Sequence, residues 1–439
     1  MDAKRAEAER IVRTLRGAGY EAYFAGGCVR DMVMGREPSD YDIATSARPE
    51  DVARLFPRAY EVGAKFGVVV VHGDTADFEV ATFRAEAEYS DGRHPDRVKF
   101  STAREDVLRR DFTINGMFFD PVSGEVLDWV GGREDIRLRR IRTIGEPERR
   151  FAEDHLRILR AVRFACRFGF SVEPETYRAM ASSARALERV SAERVREELV
   201  RILTGPNAGR ALRLMHDCGI LAVILPEVEE MCGVEQPAEF HPEGDVFEHT
   251  CRMFDLAREP SPELAMGILL HDVGKPCTQT FRERIRFDDH DREGALRTKE
   301  ICRRLRFSNE ETAHITSLVA NHMRILSGKE MRLSTLKRLL ALPRFEEHLE
   351  LHRLDCLASH GKLDVYEFLR DRMQTLRREE IAPAPLVTGH DLIALGYRPG
   401  PLFGRILSAV REEQLDGRLD SREAALKWIR ERWPPDERG

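Results

Sequence analysis

Hydrophobic and polar residues follow two different patterns in this chain, which change over near residue 150. Before that point, short apolar or alternating runs predict strands, and apolar residues at helical spacing predict helices between them. The predicted strands cover 21–25, 41–44, 68–72 and 77–83, and the predicted helices cover 1–20, 29–34 and 49–56. This alternation predicts a mixed α/β head over residues 1–145.

After residue 150 the pattern is helical almost throughout, with apolar residues such as Leu156, Leu159 and Val162 on one helical face. Breaks rich in proline or glycine divide this region. We therefore expect an α+β protein in which a helical neck (146–205), a helical body (206–382, with a histidine-rich part at 245–370) and a helical tail (383–439) follow the head.

Composition indicates a cytoplasmic protein without membrane segments or disulfides. Of 439 residues, 42% are hydrophobic and 33% are charged, and no run approaches the roughly 18 apolar residues of a membrane helix. The N-terminus is charged and lacks the apolar core of a signal peptide. The eight cysteines are scattered, with no Cys-x-x-Cys pair.

Charge is unevenly distributed along the chain. The net charge is −6, which argues against a generally polycationic protein, yet residues 133–167 contain eleven arginines, no lysine and six acids. Arginine suits bidentate contacts to phosphates or bases. The alternative is a solvated helix face with Arg–Glu pairs.

Two carboxylates, Asp40 and Asp42, are two positions apart beside a predicted strand. Side chains at that spacing point to the same face of a strand, where two carboxylates repel each other unless a cation lies between them. Oxygen ligands favour Mg²⁺, and paired metals are a recurring solution for displacement at phosphorus. The spacing therefore predicts a site that handles phosphates.

Three further features of the head support this interpretation. Gly26 and Gly27 leave backbone N–H groups free to approach a triphosphate, and Arg30 adds a charged donor. Glu79 lies in a predicted strand and points opposite to its apolar neighbours, which makes it a candidate third carboxylate.

Four ordered motifs, at 26–42, 109–115, 153–157 and 192–199, give the chain a family resemblance. It resembles the class II nucleotidyltransferases, which include bacterial tRNA CCA-adding enzymes and bacterial poly(A) polymerases. Gly116 is a departure, because alanine is expected there. The resemblance implies a polymerase-beta-like head, followed by all-helical neck, body and tail domains.

The resemblance also implies roles for individual residues. Asp40 and Asp42 would carry two Mg²⁺ ions that activate the 3′-hydroxyl of an RNA and neutralise the leaving pyrophosphate. The residues that would contact the nucleotide are Arg109, Arg110, Asp111, Asn115, Asp154, Arg157 and Arg160.

Asp154 and Arg157 are three residues apart on a predicted helix, hence neighbours on one face. Together they offer an acceptor beside a donor. Cytosine and adenine both present the complementary amino group beside a ring nitrogen, whereas uracil and guanine would leave groups unpaired at about 1–3 kcal/mol each. The resemblance assigns the pair to selection of CTP and ATP. The alternative is a surface ion pair.

The histidine-rich part contains a second set of potential metal ligands. Their order resembles the HD phosphohydrolases, and imidazole with carboxylate suits a transition metal. The matching ligands are His249, His271, Asp272 and Asp355, with His290 and His322 as additional ligands of two-metal members. The resemblance implies a phosphatase or 2′,3′-cyclic phosphodiesterase. The alternative is an RNA-binding scaffold with an idle metal site.

From these observations we expect an Mg²⁺-dependent tRNA nucleotidyltransferase that adds CCA from CTP and ATP without a template. The polar loop at residues 89–95 argues against an enzyme that adds only the two cytidines, because in the family that the chain resembles a loop at this position helps the switch from C to A addition. The resemblance also implies that residues 383–439 contact tRNA. DNA is not expected as a partner. The alternatives are an A-adding enzyme or poly(A) polymerase, a metal-dependent HD hydrolase with an RNA-binding head, and a non-catalytic RNA-binding protein.

Overall fold

A computed structural model of the chain describes residues 3–63, 67–85, 99–236, 244–281, 285–376 and 381–434. The polar loop predicted at 89–95 lies outside the described residues. The chain divides into unit 1, Met1–Glu229, and unit 2, Glu230–Gly439.

Unit 1 combines strands and helices. Its strands are β1 (Ala22–Ala25), β2 (Asp42–Thr45), β3 (Ala59–Gly63), β4 (Val68–His72), β5 (Asp77–Thr82), β6 (Arg84–Ala85), β7 (Lys99–Phe100), β8 (Met117–Asp120), β9 (Glu125–Asp128), β10 (Arg140–Ile141) and β11 (Ser171–Val172). Its helices are α1 (Ala3–Gly17), α2 (Gly27–Val33), α3 (Pro49–Leu55), α4 (Ala103–Leu108), α5 (Gly132–Arg137), α6 (Pro147–Glu153), α7 (Arg157–Phe168), α8 (Pro174–Ser183), α9 (Ala192–Leu203), α10 (Ala208–Asp217), α11 (Ile220–Ile224) and α12 (Pro226–Glu229).

Seven strands form the main sheet, in the order β3-β4-β5-β2-β1-β8-β9. The pair β2–β5 is parallel and the other pairs are antiparallel. The parallel register sets Ile43 beside Val80, so Asp42 and Glu79 occupy the preceding positions of adjacent strands. Apolar side chains of β1, β2 and β5 pack with α1 into a core on one side of the sheet.

The predicted helices and strands of the head are confirmed to within a few residues at each end. Glu79 is exposed between the buried Phe78 and Val80, as the alternation in β5 predicts. The sequence interpretation did not predict β3, β8 or β9. In β8 the run Met117–Phe119 is buried throughout and lacks an alternating pattern, so nothing in its periodicity marks it as a strand.

Unit 2 is mostly helical. Its helices are α13 (Val246–Leu256), α14 (Pro262–Leu270), α15 (Lys275–Thr278), α16 (His290–Arg304), α17 (Asn309–Ile325), α18 (Leu333–Leu340), α19 (Phe345–Ala358), α20 (Asp364–Thr375), α21 (Gly389–Ala394), α22 (Pro401–Leu415) and α23 (Arg422–Arg432). The antiparallel pair β12 (Gln279–Phe281) and β13 (Ile285–Phe287) is an exception to the all-helical pattern predicted for the body.

Two features of unit 2 follow directly from local sequence. Helix α17 begins with a capping box, in which the Ser308 hydroxyl accepts from the N–H of Glu311 and the Glu311 carboxylate accepts from the N–H of Ser308. The last three helices enclose a small core of their own around Leu392, Ile406 and Ile429. Among the described helices, none has the length and apolar character needed to cross a bilayer.

Gly116, which departs from the family pattern, is tightly enclosed. Its backbone (φ −95°, ψ 29°) suits any residue, but a Cβ would lie 2.6 Å from Cδ1 of Ile144 and 3.0 Å from Cγ2 of Val130. Ile144 therefore fills the space that an alanine methyl would need. The size of side chain that fits at residue 116 thus depends on the side chain at residue 144.

We expect Gly116→Ala to lower the free energy of unfolding by about 1–3 kcal/mol, because the new methyl overpacks the core. Ile144→Val removes the clashing methyl and should cost about 0.5–1.5 kcal/mol alone. The double variant should lose less unfolding free energy than the two single variants lose together. Urea unfolding followed by circular dichroism measures all three, and a neutral Gly116→Ala contradicts the packing argument.

Candidate active-site cleft and metal centre

Unit 1 contains a polar cleft of about 780 Å³. The cleft brings together every residue that the sequence assigned to the head site: Gly26, Gly27, Arg30, Asp40, Asp42, Glu79, Arg109, Arg110, Asp111, Asn115, Asp154, Arg157 and Arg160. Its lining also includes residues that the sequence interpretation did not assign, namely Asp31, Ser39, Arg163, Phe164, Arg167 and Arg201.

The carboxylates of the cleft repel one another. Burial, together with the neighbouring charges of Asp40 and Glu79, raises the pKa of Asp42 from 3.8 to about 6, although Arg110 opposes the shift. Asp40 precedes β2 rather than lying within it. A set of hard, mutually repelling oxygen ligands fits a divalent cation.

Gly26 sits where the backbone comes closest to these carboxylates. Its φ of 71° lies in the left-handed region, which favours glycine. A Cβ at this position would lie 3.2 Å from Nη1 of Arg110 and 3.8 Å from Oδ2 of Asp42. The glycine therefore keeps space open directly beside Asp42.

Arg30 is buried, although the sequence suggested a donor for a triphosphate. Its Nε and Nη2 lie 2.9 Å from Oδ1 of Asp31, and its Nη1 donates to Oδ1 of Asn115 at 2.8 Å. The guanidinium also packs over the ring of Phe168, 4.5 Å from its centre. Through these contacts Arg30 holds the cleft wall in place and orients the amide of Asn115.

Asp106 organises the arginine pair and was missed by the sequence interpretation. Its buried carboxylate accepts from Arg109 at 2.6 and 2.9 Å and from Arg110 at 3.0 and 3.2 Å. Burial acts to raise the pKa of Asp106, but the two arginines lower it below its usual value. The i, i+3 and i, i+4 spacing to the two arginines was the available signal.

Asp111 is the most tightly held carboxylate of the cleft. It accepts from Nε and Nη2 of Arg160 at 2.9 and 2.6 Å. Its other oxygen accepts from Nδ2 of Asn115 at 3.2 Å and the N–H of Phe112 at 2.7 Å. Burial alone would raise the pKa of Asp111, but these donors, led by Arg160, lower it to about 2.

Asp154 and Arg157 do not share a helix, which corrects the sequence prediction. Asp154 ends α6 in an extended conformation (φ −145°), and Arg157 begins α7. The Asp154 carboxylate accepts instead from Nη2 of Arg194 in α9, at 2.9 and 3.1 Å. Arg194 belongs to the last motif, but nothing in its sequence spacing linked it to Asp154.

The Arg157 guanidinium faces protein acceptors. Its Nη1 donates to Oε2 of Glu153 and to the carbonyl of Arg150, each at 2.9 Å, and its Nη2 donates to the carbonyl of Arg109 at 3.2 Å. Arg157 is only 9% exposed. A base that used these donors would have to compete with Glu153 for them.

Unit 2 brings all six predicted HD ligands together in two groups, each with ligand atoms within 4.8 Å of one another. The groups are His249, His271 and Asp355, and Asp272, His290 and His322. The His290 and His322 Nε2 atoms are 3.2 Å apart, and His271 Nε2 lies 3.1 Å from Asp272. The groups are therefore adjacent.

Backbone carbonyls orient three of these histidines. A carbonyl can only accept, so Nδ1 carries a proton and Nε2 is the ring nitrogen that faces the other ligands, where it is placed to bind a metal. The Nδ1 atoms of His271, His290 and His322 donate to the carbonyls of Ile268, Phe287 and Val319, at 2.9, 2.8 and 2.7 Å. This arrangement, with buried carboxylates, fits a metal centre.

Lys275 and Gln236 complete the surroundings of Asp272 and were not assigned from sequence. The Lys275 ammonium lies 2.6 Å from Oδ2 of Asp272 and donates to Oε1 of Gln236 at 2.6 Å. Although burial acts to raise the pKa of Asp272, His271 and Lys275 hold it well below its usual value. Asp272 is therefore ionised and available as a ligand.

Comparisons with known proteins agree with this architecture. Residues 22–142 match the family described as the poly A polymerase head domain, residues 169–232 match a probable RNA and SrmB-binding site of polymerase A, and residues 246–359 match the HD domain. The CCA-adding enzyme of Lactobacillus helveticus is 31% identical over 419 residues, covering 95% of this chain and 94% of that protein. The chain belongs to the CCA-adding enzyme family.

Similarity above 40% identity to members of this family covers part of the chain. The Geobacillus stearothermophilus CCA-adding enzyme is 47% identical over 219 residues, so the match spans 50% of this chain and 54% of that protein. The match spans about half the length of this relative and of two further CCA-adding enzymes, from Bacillus pumilus and another Geobacillus strain.

Solved structures extend the similarity to the whole fold. The Bacillus stearothermophilus CCA-adding enzyme in complex with CTP has a TM-score of 0.76 and 31% identity, over 98% of both chains. The Thermotoga maritima CCA-adding enzyme complexed with tRNA has a TM-score of 0.59 at 22% identity, which shows a shared fold. The family resemblance inferred from the four motifs is thus confirmed.

We expect Asp42→Asn to stabilise the metal-free protein by about 2–3 kcal/mol at pH 8, because it removes a buried charge that two carboxylates repel. The folded-state pKa of about 6 exceeds the ordinary 3.8, so wild-type stability falls as pH rises between these values. The advantage of the variant should vanish below pH 4. Urea unfolding in EDTA at pH 4 and pH 8 measures the difference.

Added Mg²⁺ should then stabilise the wild type and leave Asp42→Asn almost unchanged, since only the wild type retains the charged ligand. Asp74→Asn removes an aspartate whose side chain is 70% exposed and serves as the matched control, with neither effect expected. Equal stability of wild type and Asp42→Asn at pH 8 contradicts the repulsion argument.

Proposed function

We propose that this member of the CCA-adding enzyme family builds the 3′-terminal CCA of tRNA from CTP and ATP without a nucleic-acid template. The observation that carries the proposal is the cleft of unit 1, where acidic and arginine side chains from three of the four family motifs meet. The relative solved with CTP shares the fold over nearly the whole chain. A tRNA substrate implies a cytoplasmic location.

We propose that Asp40 and Asp42, with Glu79 beside them, hold two Mg²⁺ ions. Bound there, the ions would supply Lewis-acid stabilisation of the attacking and leaving oxygens. Arg109 and Arg110, fixed by Asp106, would direct donors at the triphosphate. The open space beside Gly26 would admit its oxygens close to Asp42.

Base selection would rest on Asp154 and an arginine. The Asp154 carboxylate would accept from the amino group that cytosine and adenine share, and a guanidinium would donate to the adjacent ring nitrogen. Arg157 is the donor that the family motif indicates. Arg194 already lies against Asp154, which makes it a second donor for the same edge. Uracil and guanine would leave these groups unpaired.

The domain roles follow the same proposal. Residues 1–145 would form the catalytic head, 146–205 the neck that selects the base, 206–382 the body and 383–439 a tail that contacts tRNA.

We expect the wild-type protein to complete CCA on tRNAs that end before CCA, after C and after CC, when CTP, ATP and Mg²⁺ are supplied. Asp40→Ala and Asp42→Ala should each reduce incorporation at least about 10³-fold, the scale for a group that acts in the transition state. Asp74→Ala is the control. Gel analysis of labelled tRNA measures addition, and wild-type rates in both variants would show that the carboxylates are misassigned.

Omitting CTP distinguishes this activity from a poly(A) polymerase, and supplying both nucleotides distinguishes it from an A-adding enzyme. A CCA-adding enzyme stalls on a tRNA that ends before CCA, whereas a poly(A) polymerase extends unrelated RNA with ATP. An A-adding enzyme extends only the tRNA that ends in CC.

The HD site supports a second candidate function. We propose a metal-dependent phosphohydrolase, a phosphatase or 2′,3′-cyclic phosphodiesterase that would repair tRNA ends before addition. The observation behind it is the pair of adjacent ligand groups with oriented imidazoles. A transition metal bound there would activate water for attack at phosphorus, and Lys275 would offer a donor to the phosphate.

We expect hydrolysis of a 2′,3′-cyclic nucleotide or a phosphomonoester with Mn²⁺ or Ni²⁺, and not with EDTA. Asp272→Asn should abolish hydrolysis, because the carboxylate that contacts the histidines and Lys275 loses its charge. Asp42→Ala should retain it, and His360→Ala, an exposed histidine of unit 2, is the matched control. A colorimetric phosphate assay measures release, and no metal-dependent release by the wild type would show that the site is idle.

A further inference from the structure

Three arginines connect the active-site cleft to a second cavity. Arg163, Arg167 and Arg201 line both the cleft and an adjoining cavity of about 390 Å³. The rest of the second cavity is lined by Cys166, Ile202, Thr204, Gly205 and Pro206, at and just beyond the end of α9. We call this cavity, with its three arginines, the arginine groove.

The arginines come from two packed helices. Arg160, Arg163 and Arg167 are three and four residues apart in α7, which places them on one helical face. Helix α9, which carries Arg201, packs against α7. The helical repeat and this packing align the guanidiniums in a row that leads out of the cleft.

Positive charge in this row exceeds the nearby negative charge. Arg160, Arg163 and Arg201 share the buried carboxylate of Glu198, at 3.8, 2.7 and 3.5 Å. Burial lowers the pKa of Arg163, and Arg160 and Arg201 lower it further, although Glu198 opposes them. With Asp111 paired to Arg160, four arginines face two carboxylates.

The two outer arginines have donors to spare. Within the described ranges, Arg167 makes no hydrogen bond or ion pair, and its guanidinium stacks over the ring of Phe168 at 5.5 Å. The Arg201 side chain is 58% exposed, and its contact with Glu198 is a long 3.5 Å. Fixed guanidiniums with free donors suit phosphate oxygens.

We propose that the arginine groove binds backbone phosphates of the single-stranded 3′ end of the RNA and leads that strand to the cleft. This inference rests on the proposed nucleotide addition. In the proposed mechanism Arg109 and Arg110 donate to the triphosphate. The arginines of the groove are therefore free to bind a different phosphate. The net charge of −6 also requires that RNA affinity come from a local patch. Part of the groove lies in the segment that matches an RNA-binding family.

The leaving pyrophosphate carries the same chemistry as an RNA phosphate, so the experiment must separate the two sources. We would measure binding of a fluorescent tRNA that ends before CCA to Arg167→Ala, Arg201→Ala and the double variant, without nucleotide. Arg185→Ala, whose side chain is 89% exposed and pairs only weakly with Glu188 at 3.7 Å, is the matched control.

Each groove variant should weaken tRNA binding about tenfold, as for loss of one charged hydrogen bond. Each should also lower the slope of log affinity against log salt by about 0.7. The KM for CTP and the inhibition constant of pyrophosphate should stay within twofold of wild type, and the control should match wild type throughout.

A neutral methylphosphonate placed at single positions of the tRNA 3′ end identifies the phosphate. At the contacted position it should weaken binding to the wild type and cause no further loss in the double variant. Two outcomes overturn the proposal: unchanged tRNA affinity in the double variant, or weaker pyrophosphate inhibition with normal tRNA affinity. Wild-type protein that binds tRNA but adds no nucleotide refutes the proposed function instead.

Discussion

The ion pair between Asp111 and Arg160 is the interaction on which the cleft of unit 1 depends. Two N–H groups of Arg160 donate to one oxygen of Asp111, and this contact joins the turn after the arginine pair to helix α7. Asn115 and Arg30 extend it toward α2 through hydrogen bonds. One side of the cleft comes from the sheet and the other from the helices, so this chain of contacts sets the distance between the carboxylates of the sheet and helix α7. Breaking the pair is costly, because the Asp111 carboxylate, whose side chain is only 11% exposed, would lose its charged partner.

Two opposite electrostatic arrangements lie within the same cleft. Asp106 and Asp111 are satisfied by arginines, and their pKa values are lowered. Asp42 is buried beside the like charges of Asp40 and Glu79, and its pKa is raised. The satisfied carboxylates hold the wall in place, whereas the unsatisfied one is strained in the absence of a cation. This contrast distinguishes positioning carboxylates from candidate metal ligands more clearly than residue type does. The HD site of unit 2 uses backbone carbonyls for the same positioning purpose.

Local sequence predicted the elements of the head well, because α1, α3 and β5 each carry a clear hydrophobic period and β4 is a continuous run of four valines. Strand β8 was missed, because its apolar run covers only Met117–Phe119 and has no alternation. The pairing of Asp154 was also missed. A helix through residues 154–157 was assumed, but the extended backbone at Asp154 turns its carboxylate away from Arg157 and toward α9. Residues three apart in sequence are neighbours on one face only where the backbone between them is helical.

The sequence by itself determined which residue types are present and in what order, and this was enough to identify the family and to select most of the residues that line the cleft. Ordered motifs carry that information because each requires particular side chains at particular offsets. Only the tertiary structure decided which donor meets which acceptor. Arg194 reaches Asp154, Asp106 holds two arginines, and Arg163, Arg167 and Arg201 share one groove. Such contacts depend on how separate helices pack, and hydrogen bonds and ion pairs act over only a few ångströms.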